Sequence, residues 1–96
     1  GPVLSVLPFR DEDEAVRLTT DSGYGLAAFV WTRDGTRGLR VARRIRAGQV
    51  YLNCFSSGDS VMTPFGGFGA SGCGREKGFE ALRTYTRSKN LCIATA

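Results

Sequence analysis

The residues of this chain that could do chemistry are three cysteines at positions 54, 73 and 92, a carboxylate at Asp59, and a glycine-dense stretch from Pro64 to Glu76. A thiol acts as nucleophile or metal ligand in its thiolate form and needs a base or a cation beside it. The sequence contains no histidine. Cys–His and Ser–His pairs and His-ligated metals are therefore excluded within it. An odd cysteine count with no C-x-x-C spacing argues against a disulfide framework and against a zinc site. Cys73 stands just before an expected helix start, where negative charge is favoured. Only Glu76 is near it as a base, so Cys73 reads as a small residue in a tight loop. Cys92 alternates with Leu91 and Ile93 in an expected strand and reads as structural. Cys54 follows a strand and either lines a pocket or packs; both readings stand.

Asp59 lies in Ser56-Ser57-Gly58-Asp59-Ser60. Such a cluster is a turn in which Asp bonds nearby backbone amides, or else the carboxylate meets a cationic substrate group at a pocket mouth. Paired carboxylates for acid–base work are not identifiable, because the run Asp11–Glu14 is accounted for by helix capping and solvation. In the glycine stretch, five of thirteen residues are Gly. That density requires tight turning or a close approach that leaves no room for a Cβ. Gly67-Phe68-Gly69-Ala70-Ser71-Gly72 matches G-x-G-x-x-G literally. A dinucleotide fingerprint also needs a strand immediately before it and an acidic residue about 20 positions on. Here a loop precedes the glycines, and no carboxylate follows Asn90. The match is excluded as a phosphate cradle.

The elements that position these residues follow from periodicity. Val3–Phe9 is a near-continuous apolar run, expected to be a buried strand. Asp11 and Glu14 resemble a capping box opening a helix whose inward face is Ala15, Val16 and Leu18. Leu26–Thr32 is a second strand. Asp34 caps a second helix, with Leu39, Val41, Ala42 and Ile45 inward and arginines outward. Gln49–Asn53 is a third strand. The order β-α-β-α-β with short connections predicts an α/β fold with a parallel sheet and right-handed crossovers. After a long loop, a C-terminal helix is expected from about Arg75 to Tyr85, with Phe79, Leu82 and Tyr85 inward. A short final strand follows at Asn90–Ala94. Apolar strands at the edges of so small a sheet template pairing with other chains.

Ninety-six residues make one small domain or a piece of a larger one, and a hydrophobic fraction of 42% suits a globular chain. No apolar run approaches the roughly 20 residues that span a bilayer, and no signal-peptide pattern opens the sequence. An intracellular, cytoplasmic location is expected. Net charge is +4, and five of the 13 basic residues fall between Arg37 and Arg46. A basic helix can face nucleic acid, but with no interleaved aromatic platform it reads as a solvated face or a protein contact.

Over nearly its full length the chain resembles the C-terminal segment of the NAD(P)-dependent aldehyde dehydrogenases. The residues that carry the likeness include Gly1-Pro2-Val3-Leu4-Ser5-Val6, Tyr24-Gly25-Leu26-Ala27-Ala28 and Trp31-Thr32-Arg33-Asp34. They continue through Ala47-Gly48, Leu52-Asn53, Pro64-Phe65-Gly66-Gly67, Ser71-Gly72 and Gly74-Arg75-Glu76. The resemblance implies that residues 1–89 close a catalytic domain and that 90–96 supply an oligomerisation strand pairing through Leu91 and Ile93. It implies that Asn53, Cys54, Phe55, Asp59 and Phe65 wall an aldehyde pocket, while Gly58-Asp59 is similar to members acting on amino-aldehydes. In the family the nucleophilic Cys, the general-base Glu and the dinucleotide-binding domain all lie upstream of anything in this sequence. NAD or NADP is thus expected in the parent enzyme and no cofactor on this chain alone, which should lack dehydrogenase activity. Expected partners are the remainder of the enzyme or a second copy of the chain. A free-standing interaction module is the alternative. Gly69 departs from the family, which usually has Lys there.

Overall fold

The computed structural model describes residues 1–55 and 61–95. Helix α1 (Glu12–Thr20) leads into β1 (Ala27–Val30), α2 (Gly35–Arg44) and β2 (Gln49–Leu52). A 3-10 turn over Gly69–Ser71 and helix α3 (Gly78–Thr84) follow. Both long helices begin where the sequence predicts. Asp11 Oδ1 accepts from Glu14 N at 2.8 Å, and Asp34 Oδ1 accepts from Arg37 N at 2.9 Å. Each carboxylate satisfies an amide that the first helical turn leaves without a partner. Glu14 also reaches back to the Arg10 amide, at 2.8 Å, and ties down the entering chain.

β1 and β2 pair in parallel with Ala27 opposite Gln49 and Val30 opposite Leu52. The crossover helix α2 lies on them through Gly38, which is buried. A Cβ there would overlap Leu52 Cδ1 and Thr32 Cγ2. The missing side chain is what lets helix and sheet approach. The fold class is thus the expected one: a small α/β unit built on a parallel β-α-β crossover.

Two of the expected strands are not present. Val3–Phe9 and Asn90–Ala94 carry no ladder, and among the described residues the sheet has two strands. A strand is defined by its partner's hydrogen bonds, and nothing in the described chain offers these segments a partner. Val3 and Leu4 are 87% and 86% exposed. The stripe Phe79, Leu82 and Tyr85 on and just after α3, expected inward, is likewise exposed because no element lies beneath it.

The described core is correspondingly slight: Ala28, at 9% exposure, is its buried apolar residue. A compact monomer of 10.4 kDa exposes about 5,400 Å², whereas this chain exposes 8202 Å². Its radius of gyration is 18.6 Å, against about 13 Å for a compact domain of 100 residues. The sequence has the apolar residues of a core, and the fold leaves them outside.

Between α1 and α2, charge does much of the packing. Glu12 bonds Arg40 at 2.7 and 3.0 Å and pairs with Arg37 at 2.9 Å, and Asp13 meets Arg44 at 2.6 Å. Three of the five arginines between positions 37 and 46 are therefore answered by carboxylates of α1. The Arg40 hydrogen bonds, with Arg37 adding to them, hold the Glu12 carboxyl below its usual range despite some desolvation.

Candidate functional site

The site expected from sequence divides between the two ends of the sheet. Asn53, Cys54 and Phe55 follow β2 and sit at the carboxyl ends of the strands, where open parallel sheets place their ligand crevices. Asn53 has φ 54°, a left-handed conformation that Asn tolerates better than most residues. Its amide N donates to Val30 O at 2.9 Å. Its side chain then spans to the other strand's exit: Oδ1 accepts from Thr32 N and Nδ2 donates to Thr32 O, both at 2.8 Å. The carboxamide thus behaves as one more peptide unit of the ladder, sealing the two strands after they end. This employment of Asn53 was not visible in the sequence, since Thr32 lies 21 residues away.

Cys54 is half-buried beside it as a free thiol. Phe55 comes next, 79% exposed, yet its ring is not isolated. It stacks on Phe29 with centroids 5.2 Å apart and planes 5° from parallel. Phe29 stacks in turn on Tyr51, its register partner across the sheet, at 5.2 Å and 14°. The three rings form a row of offset stacks, an arrangement that aromatic quadrupoles favour. Alternation along β1 and β2 signals that Phe29 and Tyr51 share a face; the addition of Phe55 was missed. Asp59 lies outside the described residues.

Phe65 lies elsewhere. It exchanges backbone hydrogen bonds with Glu76, both at 2.6 Å, and Lys77 Nζ stands 5.9 Å from its ring centroid. The preceding Pro64 carbonyl accepts from the side chain of Gln49, the first residue of β2. Residues 49 and 53 are about 13 Å apart along an extended strand, so the backbone before Phe65 is anchored at the amino end of β2.

The glycine stretch explains this position. It packs against the amino ends of both strands, backbone on backbone. Phe68 N donates to Gly25 O at 3.0 Å, Ala70 N to Gly23 O at 2.8 Å, and Gly25 N to Ser71 Oγ at 3.1 Å. A Cβ on Gly48 would overlap the Gly66 carbonyl, and one on Gly69, at φ 59°, would overlap the Gly23 carbonyl. Close approach is the requirement, and the thing approached is the sheet. Arg75 fastens the loop by donating to Gly67 O at 2.8 Å while its guanidinium lies 4.9 Å from the Phe68 ring centroid.

These glycines do not form a dinucleotide cradle. The fingerprint's third glycine, Gly72, ends a 3-10 turn rather than opening a helix after a strand. Among the described residues, no group of three or more His, Cys, Asp or Glu could hold a metal ion, and no helix is long and apolar enough to cross a membrane. Leu91 and Ile93 are exposed and follow no ladder.

Comparison with known proteins places this architecture. The profile of the aldehyde dehydrogenase family matches residues 1–91. The NADP/NAD-dependent aldehyde dehydrogenase PuuC of Escherichia coli is 47% identical over 98% of this chain and 19% of its own length. The structure of betaine aldehyde dehydrogenase from Staphylococcus aureus in its apo form superposes with a TM-score of 0.86 at 43% identity, covering 93% of this chain and 18% of that one. The P. syringae indole-3-acetaldehyde dehydrogenase, solved in complex with NAD+ and IAA, gives 0.83 at 46% identity over 91% and 17%. The chain spans about a fifth of the length of the curated relatives it matches.

Proposed function

The chain belongs to the aldehyde dehydrogenase family, and on that premise we propose that it is the C-terminal segment of an NAD(P)-dependent enzyme oxidising an aldehyde to a carboxylic acid. The observation that carries the fragment reading is the coverage: nearly all of this chain aligns with about a fifth of each relative. The exposed apolar surface supports it, because Val3–Phe9, α3 and Leu91–Ile93 are segments with core composition and nothing to pack on.

In this reading the segment contributes one wall of the substrate pocket through Asn53, Cys54, Phe55, Asp59 and Phe65, and subunit contacts through Leu91 and Ile93. Asn53 acts mainly by fixing the strand exits, so that Cys54 and Phe55 leave the sheet at a set angle. Phe65 reaches the same pocket only from the far end of β2, as a second wall. The nucleophile, the general base and the residues that hold NAD(P) belong to the remainder of the enzyme, and the chain alone is inactive. The test is direct. Purified chain incubated with NAD+ or NADP+ and acetaldehyde should give no absorbance rise at the nicotinamide wavelength, whereas the full-length protein should. Turnover by the chain alone overturns the proposal.

A second reading is supported by the unpaired edges of β1 and β2: a module that associates with itself through its apolar arms. A stable dimer of the chain that does not bind the remainder of an aldehyde dehydrogenase favours it.

A further inference from the structure

We propose that the cavity between Arg46 and Arg75 receives a carboxylate side chain from the part of the enzyme that this chain does not span. The inference rests on the fragment reading above and deepens it, by naming the chemistry through which the glycine stretch meets the remainder. The cavity holds about 660 Å³, with Arg46 and Arg75 as its charged residues and Phe68, Gly69 and Cys73 among the rest of its lining. Cations line it and no carboxylate does.

Arg46 stands apart from the arginines that precede it. Arg37, Arg40 and Arg44 lie on α2 and are answered by Glu12 and Asp13 of α1. Arg46 comes after the helix has ended and turns to the glycine stretch instead. A Cβ on Gly69 would stand 3.7 Å from its Nη2. Among the described residues its guanidinium has no hydrogen bond and no ion pair. Arg75 is half-employed. Its Nη1 donates to Gly67 O and Gly74 O, both at 2.8 Å, which uses the N–H groups of that nitrogen. The donors on Nε and Nη2 have no partner among the described residues.

Two guanidiniums at an open cavity are solvated while the chain is alone. Covered by the rest of the enzyme they lose that water, and a buried charge without a partner is strongly destabilising. The covering surface must therefore bring negative charge. A guanidinium takes a carboxylate through paired N–H groups, and those of Arg46 are unspent among the described residues. A dissolved phosphate would match the charge as well. It would not cover the Phe68 ring, which lines the same cavity at 39% exposure. A protein surface covers ring and cations together.

The test uses the full-length enzyme. Arg46→Lys places an amine at the cavity, and a carbodiimide joins an amine directly to a carboxylate that touches it. Peptide mapping should find position 46 joined to an Asp or Glu outside residues 1–96. No link at position 46, or a link to a carboxylate within this chain, overturns the proposal. Arg46→Gln should lower the full-length Tm by about 2–4 °C, with part of the loss recovered in Arg46→Lys. An unchanged Tm in Arg46→Gln overturns it too. A third arm needs no variant. Inorganic phosphate added at constant ionic strength should leave the wild-type Tm unchanged, because the cavity is already filled. A rise assigns the cavity to a free anion and overturns the proposal. Aldehyde oxidation by the same preparation separates the two readings. An active enzyme without the link keeps the family reading and loses this one, and a natural protein no longer than this chain removes both.

Discussion

Isolating the chain should abolish cooperative folding, and the size of the deficit can be worked from its surface. It exposes 8202 Å², about 2,800 Å² more than a compact monomer of its mass. With some 57% of protein surface apolar, about 1,600 Å² of that excess is apolar. At roughly 25 cal/mol per Å² the unrealised burial is about 40 kcal/mol. Halving this to allow for a compact denatured ensemble still leaves about 20 kcal/mol, more than the whole net stability of an ordinary domain, about 5–15 kcal/mol. Scanning calorimetry of the purified 96-residue chain should therefore show no single endotherm. A cooperative domain of this length would absorb about 65 kcal/mol near 60 °C. Sedimentation run in parallel makes the result decisive. A two-state endotherm from a monomer refutes the area argument. Melting that appears only with dimerisation, at a concentration-dependent Tm, means that a second copy has covered the surface.

The remaining predictions concern the full-length protein. Gly48→Ala should destabilise it by about 1–3 kcal/mol through overpacking, because the added methyl meets the Gly66 carbonyl and neither backbone can yield; an unchanged Tm contradicts the backbone-on-backbone reading. Asn53→Gly keeps the left-handed backbone but removes two hydrogen bonds to Thr32, at a cost of about 1–2 kcal/mol; Asn53→Ala should cost about 1 kcal/mol more for its positive φ, and equal melting of the two variants refutes the strain term. Glu12 binds its proton more weakly when folded than its ordinary value of 4.5 allows. Its contact with Arg40 is therefore complete above pH 4.5 and lost as pH falls below that. The Tm advantage of wild type over Glu12→Gln should shrink as pH is lowered through and below 4.5, and an advantage that grows would show the opposite linkage.

What the sequence made legible was local. Asp11 and Asp34 announce α1 and α2 because a cap bonds an amide three residues away. The strands around Ala28 and Val50 are readable because their apolar runs are short and bounded. Val3–Phe9 and Asn90–Ala94 read as strands for the same compositional reason, but composition records only a demand for burial, and pairing requires a partner in space. The stripe Phe79, Leu82 and Tyr85 carries the same demand with the same outcome. The pocket residues were grouped by resemblance, and the glycine stretch that follows Phe65 docks by its backbone at the amino ends of the strands. That docking, the Asn53 clamp and the Glu12–Arg40 contact all join residues 21 or more positions apart, beyond the reach of any local pattern.

The bond from Gly25 N to Ser71 Oγ joins residues 46 positions apart, and this bears on the order in which a growing chain can take shape. β1 and its partner β2 are separated by only 22 positions at Ala27 and Gln49, so the crossover unit can close while synthesis continues. The amino ends of the two strands stay open until Ser71 has emerged. Counted from Gln49, where β2 begins, at roughly 5–20 residues per second that is an interval of about 1–4 s. Throughout it Gly23 and Gly25, at the head of β1, lack the partners that Phe68, Ala70 and Ser71 later supply. The glycine stretch is then a latch fitted last, and a slow or misplaced latch is the point at which this chain would be diverted toward aggregation.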